Sequence, residues 1–116
     1  MMWRDRFERE HKPLFERRNI GTTIWSPLAG GFLAGKYNDG LIPEGSRAEL
    51  MYKTGGHLAK RADQYFGEQN KEKTLAVLRA LGDLAKELGF TQAQLALAWS
   101  IATKDTSTAI LGFSRV

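Results

Sequence analysis

From Leu75 to Leu88 the apolar side chains return at steps of three and four, at Leu75, Leu78, Leu81, Leu84, Ala85 and Leu88, while Lys73, Arg79, Asp83, Lys86 and Glu87 fall between them. One face of a 3.6-residue helix collects the first set, so NKEKTLAVLRALGDLAKELGF is an amphipathic helix. Gly89 ends it, because a residue without Cβ enters the left-handed terminal conformation freely, and Phe90 stands where an apolar contact closes such a cap. Thr91 and Gln94 then form the S/T-x-x-E/Q pattern that opens a second helix, TQAQLALAWSIAT. That helix carries no charge, and apolar residues on nearly every side require cover on nearly every side.

Period-two and β-branched stretches flank this region. IGTTIWSPLA, between Gly21 and Pro27, predicts a buried strand ending at the proline, and TAILG predicts a short second strand near the end of the sequence. Residues 3 to 18 place Trp3, Phe7, Leu14 and Phe15 among charges, a weak amphipathic helix in which Pro13 removes a backbone donor. One helix or two short ones fit that pattern equally. From Pro27 to about Phe66 the pairs and triplets GG, AG, NDG, IPEGS and TGG predict loop throughout. The order strand, long loop, helix, helix, strand implies parallel pairing in an α/β protein, since parallel neighbours need a crossover. Two strands are not a whole sheet, and the expectation is a segment of something larger.

Composition narrows the function. The 116 residues are 42% hydrophobic and 26% charged, the make-up of a globular domain. Seventeen Lys and Arg against thirteen Asp and Glu give a net charge of +4, but the cations are scattered and MWRDRFEREHKPLFERR alternates sign. That alternation marks a solvated helix face and argues against nucleic-acid binding. Cysteine is absent, so disulfides and thiolate metal sites are excluded. No stretch is long and apolar enough to insert into a membrane, charges begin at Arg4 as in no signal peptide, and the expected location is the cytoplasm.

Gly30, four residues, Gly35 and Lys36 match all but the last letter of the nucleoside-triphosphatase pattern GxxxxGK[ST]. The last letter decides. Tyr37 stands where a small hydroxyl would bind magnesium, and Asn38, Asp39, Gly40 and Pro43 forbid the helix that should follow the lysine. What survives is a small-residue loop behind a parallel strand, with Lys36, Ser46 and Arg47 after it, at the strand end where α/β folds gather ligands. A point charge and a planar fork suit a phosphate dianion, although turn-forming glycines with solvated cations fit the same residues. Gly112 and Ser114 sit just past the second strand, where a tight turn could present amides to another anion.

IWSPLAGGFLAGKYNDG, IPEGSRA, LAKELGFTQAQLALAWSIA and AILGFS, in this order and spacing, resemble the C-terminal half of the aldo-keto reductases, closest to the branch of the voltage-gated potassium channel β-subunits. The resemblance implies a partial (β/α)8 TIM barrel, its last two strands with their helices. Residues 1–116 would then be the C-terminal part of an NADP-dependent oxidoreductase domain, incomplete at both ends, since a barrel takes about 200 residues or more. It further implies that Trp25, Ser26, Pro27, Leu28, Ala29 and Gly30 line the nicotinamide and pyrophosphate side of NADPH. Lys36 and Arg47 would hold the adenosine portion with its 2′-phosphate, and Gly112 and Ser114 would touch the adenosine phosphate region.

The family's catalytic Asp, Tyr, Lys and His belong to the first half of the barrel, outside this sequence. No catalytic or metal-binding residue is therefore expected: His11 reads as a helix-surface residue and His57 as a loop residue, and neither stands at a matching position. The expected role is cofactor binding for the reduction of aldehydes or ketones. A redox-sensing regulatory subunit of a voltage-gated potassium channel, assembled as the family's homo-tetramer with a channel α-subunit, is the alternative, and a truncated product without function is a third.

Overall fold

A computed structural model describes residues 5–112. A π-helical turn at Phe7–His11 leads into helix α1 (Lys12–Arg18), followed by strand β1 (Thr22–Trp25) and a 3-10 helical stretch at Ala29–Ala34. Helices α2 (Arg47–Thr54), α3 (Gly56–Phe66), α4 (Lys71–Glu87) and α5 (Gln92–Ile101) come next, and strand β2 (Thr106–Ile110) completes the described elements. The chain divides into two compact units: Leu28–Leu95, and the remainder formed by the chain up to Pro27 with Ala96 onward.

In the strand unit, β1 and β2 lie parallel, as the helix-separated strands implied, with Thr22 opposite Thr106, Thr23 opposite Thr108, Ile24 opposite Ala109 and Trp25 opposite Ile110. The register slips after Thr22, leaving Ser107 as the extra residue. Gly21 makes room for it, since a Cβ there would overlap Ser107 Oγ. The Asp105 carbonyl anchors the start of β1, accepting from Thr22 N at 2.7 Å and from Thr22 Oγ1 at 2.8 Å. β2 begins two residues earlier than predicted and stops before Leu111. The expected burial of the first strand is corrected: no residue of either strand is fully buried, and Trp25 is 67% exposed. Two strands leave most of their pleated faces open, so alternation alone cannot bury them.

The segment before β1 is one continuous helical run rather than two. Lys12 donates its N–H to the Phe7 carbonyl, a π-type bond, and Pro13 falls within the first turn of α1, where its missing donor costs least. The Phe15 ring lies tilted against Phe7, with centroids 5.2 Å apart, and edge-on at 6.1 Å against His11. Asn19 closes the helix in the left-handed conformation at φ 51°.

The other unit overturns the prediction of loop from Pro27 to Phe66, because α2 and α3 occupy most of its second half. Ser46 caps α2: its Oγ accepts from Glu49 N at 3.3 Å, and Glu49 Oε2 reaches back to Gly45 N at 2.8 Å. That is a variant of the capping box, S-x-x-E in the sequence, in which the glutamate takes the amide one residue before the cap while Ser46 N donates to the Pro43 carbonyl at 3.1 Å; the glycines on either side obscure it. Gly55 and Gly56, both at positive φ, separate α2 from α3 without lengthening the loop. Phe32 is the centre of the core, with ring centroids 4.9 Å from Tyr37, 4.6 Å from Tyr65 and 5.1 Å from Phe66, and Met51, Leu75 and Leu78 are buried in the same unit. Each aromatic pair adds about 0.5–1.5 kcal/mol to what burial alone provides.

The predicted amphipathic helix is α4, and its termination follows the sequence closely. Phe90 N donates to the Ala85 carbonyl at 2.9 Å and Gly89 N to the Lys86 carbonyl at 3.1 Å, with Gly89 at φ 75°. The apolar face is buried at Leu75, Leu78 and Ala85, whereas Leu84, Leu88 and the Phe90 ring are roughly half exposed. The cap therefore forms through its backbone bonds and leaves its expected apolar contact open. The second capping box is present: Gln94 Oε1 accepts from Thr91 N at 2.9 Å and Thr91 Oγ1 from Gln94 N at 3.2 Å. The uncharged helix α5 is less covered than predicted, with Ala96 buried but Trp99 and Ile101 exposed.

Candidate functional site

The loop behind β1 departs from ordinary backbone at several positions. Ser26 and Ala29 have φ of 57° and 52°, and Gly30, Gly31 and Gly35 follow at 70°, 98° and 91°. For a residue with a Cβ this conformation costs about 1–2 kcal/mol, and such strain concentrates where a chain serves a ligand. The Leu28 carbonyl accepts from Gly31 N at 2.9 Å and Leu33 N at 3.2 Å, which winds the chain tightly over the small residues. A Cβ on Gly31 would stand 3.1 Å from Lys36 Cε. Glycine there lets the lysine stem cross the backbone, and the exposed Lys36 ends with Nζ 5.6 Å from the Tyr37 ring centroid. Lys36 lies in a turn rather than at a helix start, in keeping with the rejected triphosphatase pattern.

The two residues after Lys36 are anchored in different directions. Tyr37 is fully buried, and its hydroxyl accepts a hydrogen bond from Ala48 N at 3.2 Å. Ala48 follows Arg47, the exposed first residue of α2. Burial removes the phenol from any role as a proton donor to substrate. Asn38 Nδ2 donates to Gln92 Oε1 at 2.8 Å, and the Asn38 carbonyl accepts from Arg79 Nε at 2.9 Å. Gly82 admits this amide pair, since a Cβ on it would meet Asn38 Nδ2 at 2.9 Å and Gln92 Oε1 at 3.0 Å. Asp39 Oδ1 accepts from Leu41 N at 2.9 Å and shapes the turn that follows.

Electrostatics at the head of α2 are settled locally. A hydrogen bond from Lys53 first, and the Gly45 amide second, hold the Glu49 carboxyl below its ordinary value of 4.5. Lys53 Nζ lies 2.8 Å from Glu49 Oε1, so that lysine is engaged while Lys36 and Arg47 face solvent.

The predicted site residues fall into two groups. Leu28, Ala29, Gly30, Lys36 and Arg47 belong to the Leu28–Leu95 unit, while Trp25, Ser26 and Pro27 lie at the end of β1 and Gly112 two residues past β2. Ser114 lies outside the described residues. His57, expected in a loop, is an exposed residue of the first turn of α3, and His11 is half-buried beside Phe15. Tyr37, Asn38 and Gln92 were not singled out as supports from the sequence. NDG signals only a turn, and Gln92 lies 54 residues from its partner, beyond any local pattern.

An α/β chain whose first parallel strand opens into a strained, glycine-rich loop carrying an exposed lysine is the class defined so far. The chain belongs to the aldo/keto reductase family, whose sequence model matches residues 1–116. It is 41% identical over 112 residues to a Schizosaccharomyces pombe protein named as a voltage-gated potassium channel subunit beta, covering 97% of this chain and 30% of that one. Proteins named likewise from Arabidopsis thaliana and Oryza sativa subsp. japonica are 40% identical over 118 residues and 39% over 113, covering 99% and 97% of this chain and 32% and 31% of theirs. The chain thus spans less than a third of the length of these relatives.

Proposed function

We propose that this chain is the NADPH-binding portion of an aldo/keto reductase, with β1 and β2 as the last two strands of a (β/α)8 barrel and residues 1–116 as the C-terminal part of the oxidoreductase domain. The observation that carries the proposal is the loop from Ser26 to Lys36, where non-glycine residues accept left-handed backbone beside glycines and an exposed cation. Such a loop lets a ligand approach the main chain closely while a charge faces it. Lys36 and Arg47 bind the 2′-phosphate and adenosine. Trp25, Ser26, Pro27, Leu28, Ala29 and Gly30 contact the nicotinamide and pyrophosphate, and Gly112 and Ser114 the adenosine phosphates. The bound cofactor supplies the hydride that reduces an aldehyde or ketone, and the residues of this chain bind and orient it. No catalytic residue is assigned.

Fluorescence titration of the chain with NADPH tests this. Saturable enhancement is expected, and Lys36→Ala and Arg47→Ala each weaken binding by about tenfold, the size of one lost charge-assisted contact. Absence of saturable binding overturns the reading.

The names of the relatives favour a second reading, a subunit of a voltage-gated potassium channel; for that reading we propose a cytoplasmic, redox-sensing role and assembly as a homo-tetramer with the channel α-subunit. Among the described residues no helix is long and apolar enough to cross a membrane. Co-purification of the chain with such an α-subunit, absent with an unrelated channel, is the expected result of that reading.

A further inference from the structure

We propose that Tyr37 and Asn38 are positioning residues that set the spacing of Lys36 and Arg47 and thereby favour a 2′-phosphorylated dinucleotide over its unphosphorylated counterpart. The inference rests on the cofactor reading above and adds the device that makes two flexible cations selective. A lysine or arginine on a free backbone pays side-chain and backbone entropy whenever it closes on a phosphate. Here the backbone beside each cation is already held. The Tyr37 hydroxyl, one residue past Lys36, accepts from the amide of Ala48, one residue past Arg47, so a single 3.2 Å bond joins the two segments. Asn38 holds the other side of the same turn through Gln92 and Arg79, at 2.8 Å and 2.9 Å.

The ring and the hydroxyl of Tyr37 do separate jobs. Packing against Phe32 at 4.9 Å and Phe66 at 5.9 Å needs only the ring. The hydroxyl is buried at the head of α2, and without it the fully buried Ala48 keeps an amide lacking that acceptor. Gly82 is the matching accommodation on α4, a helix-interior glycine kept at a cost in propensity where a side chain would displace the Asn38–Gln92 pair.

The test compares NADPH and NADH titrations of the chain with Tyr37→Phe and Asn38→Ala, and urea unfolding of each. Both variants are expected to bind NADPH about fivefold more weakly, the scale of one buried hydrogen bond, and NADH as the parent does. Equal losses for both nucleotides, or lowered stability with nucleotide preference intact, overturn the inference. Should Tyr37→Phe not fold, Asn38→Ala carries the test alone. Lys36→Ala and Arg47→Ala separate the two levels: if they abolish the NADPH preference while the two positioning variants retain it, only the inference fails. If they too retain it, or the parent binds neither nucleotide, the cofactor reading fails and the inference with it.

Discussion

The Leu28–Leu95 unit and the strand unit come from one chain, yet among the described residues every buried apolar side chain except Ala96 belongs to the first. The sequence-based expectation ran the other way, with strand and uncharged helix as the buried parts and the stretch from Pro27 to about Phe66 as loop. Phe32, Tyr37, Tyr65 and Phe66 explain the reversal, because four aromatic rings within 35 residues of sequence bury one another without waiting for a distant layer. β1 and β2 bury little, with Trp25 and Ile110 both more than half exposed at their paired ends. A turn-rich segment can thus organise its own core and fix a loop, whereas a strand pair needs further strands or helices to make use of its apolar faces.

The sharpest way to break this contrast is truncation in each unit. Phe32→Ala is expected to lose about 3–5 kcal/mol, the range for an aromatic core truncation, and Trp25→Ala, at a side chain 67% exposed, clearly less. Equal shifts in the urea midpoint would remove the distinction. Gly82→Ala comes next and tests the sign: helix propensity alone would stabilise α4 by about 1 kcal/mol, but displacement of the Asn38–Gln92 pair is expected to make the variant less stable than the parent. A rise in melting temperature would show that the amide pair yields easily.

Ser46→Ala is expected to cost about 1 kcal/mol through the cap of α2, measured by thermal unfolding at neutral pH. A further effect is confined to alkali. Burial first, then a hydrogen bond to Asp63 and its charge, push the Tyr52 phenol up from 10.0 to about 12. The unfolded chain therefore ionises first, so this group leaves stability unchanged below pH 10 and lowers it as pH rises from 10 toward 12. Tyr52→Phe should flatten that decline, and an unchanged alkaline slope would show that Tyr52 is not its source.

Legibility in the sequence followed the range of the interaction. The end of α4 at Gly89 and the Thr91–Gln94 box of α5 close their hydrogen bonds within six residues, and both could be read directly. The Ser46–Glu49 box was equally local but lay among glycines, so turn chemistry masked the start of α2 and the helices were missed. At the candidate site the glycines, Lys36 and Arg47 were visible as residue types; their supports were not.

Residue order alone settled the family, the parallel order of the strands, the two carboxyl-terminal helices and the failure of the triphosphatase pattern at Tyr37, all of which depend on identity, spacing or backbone bonds between near neighbours. Folding in three dimensions decided which apolar residues are covered, that Tyr37 is a buried strut instead of a mere departure from a motif, and that Asn38 meets Gln92 across 54 residues. Such contacts form only when distant segments pack together and exclude water from both partners, and no local pattern records which partner that will be.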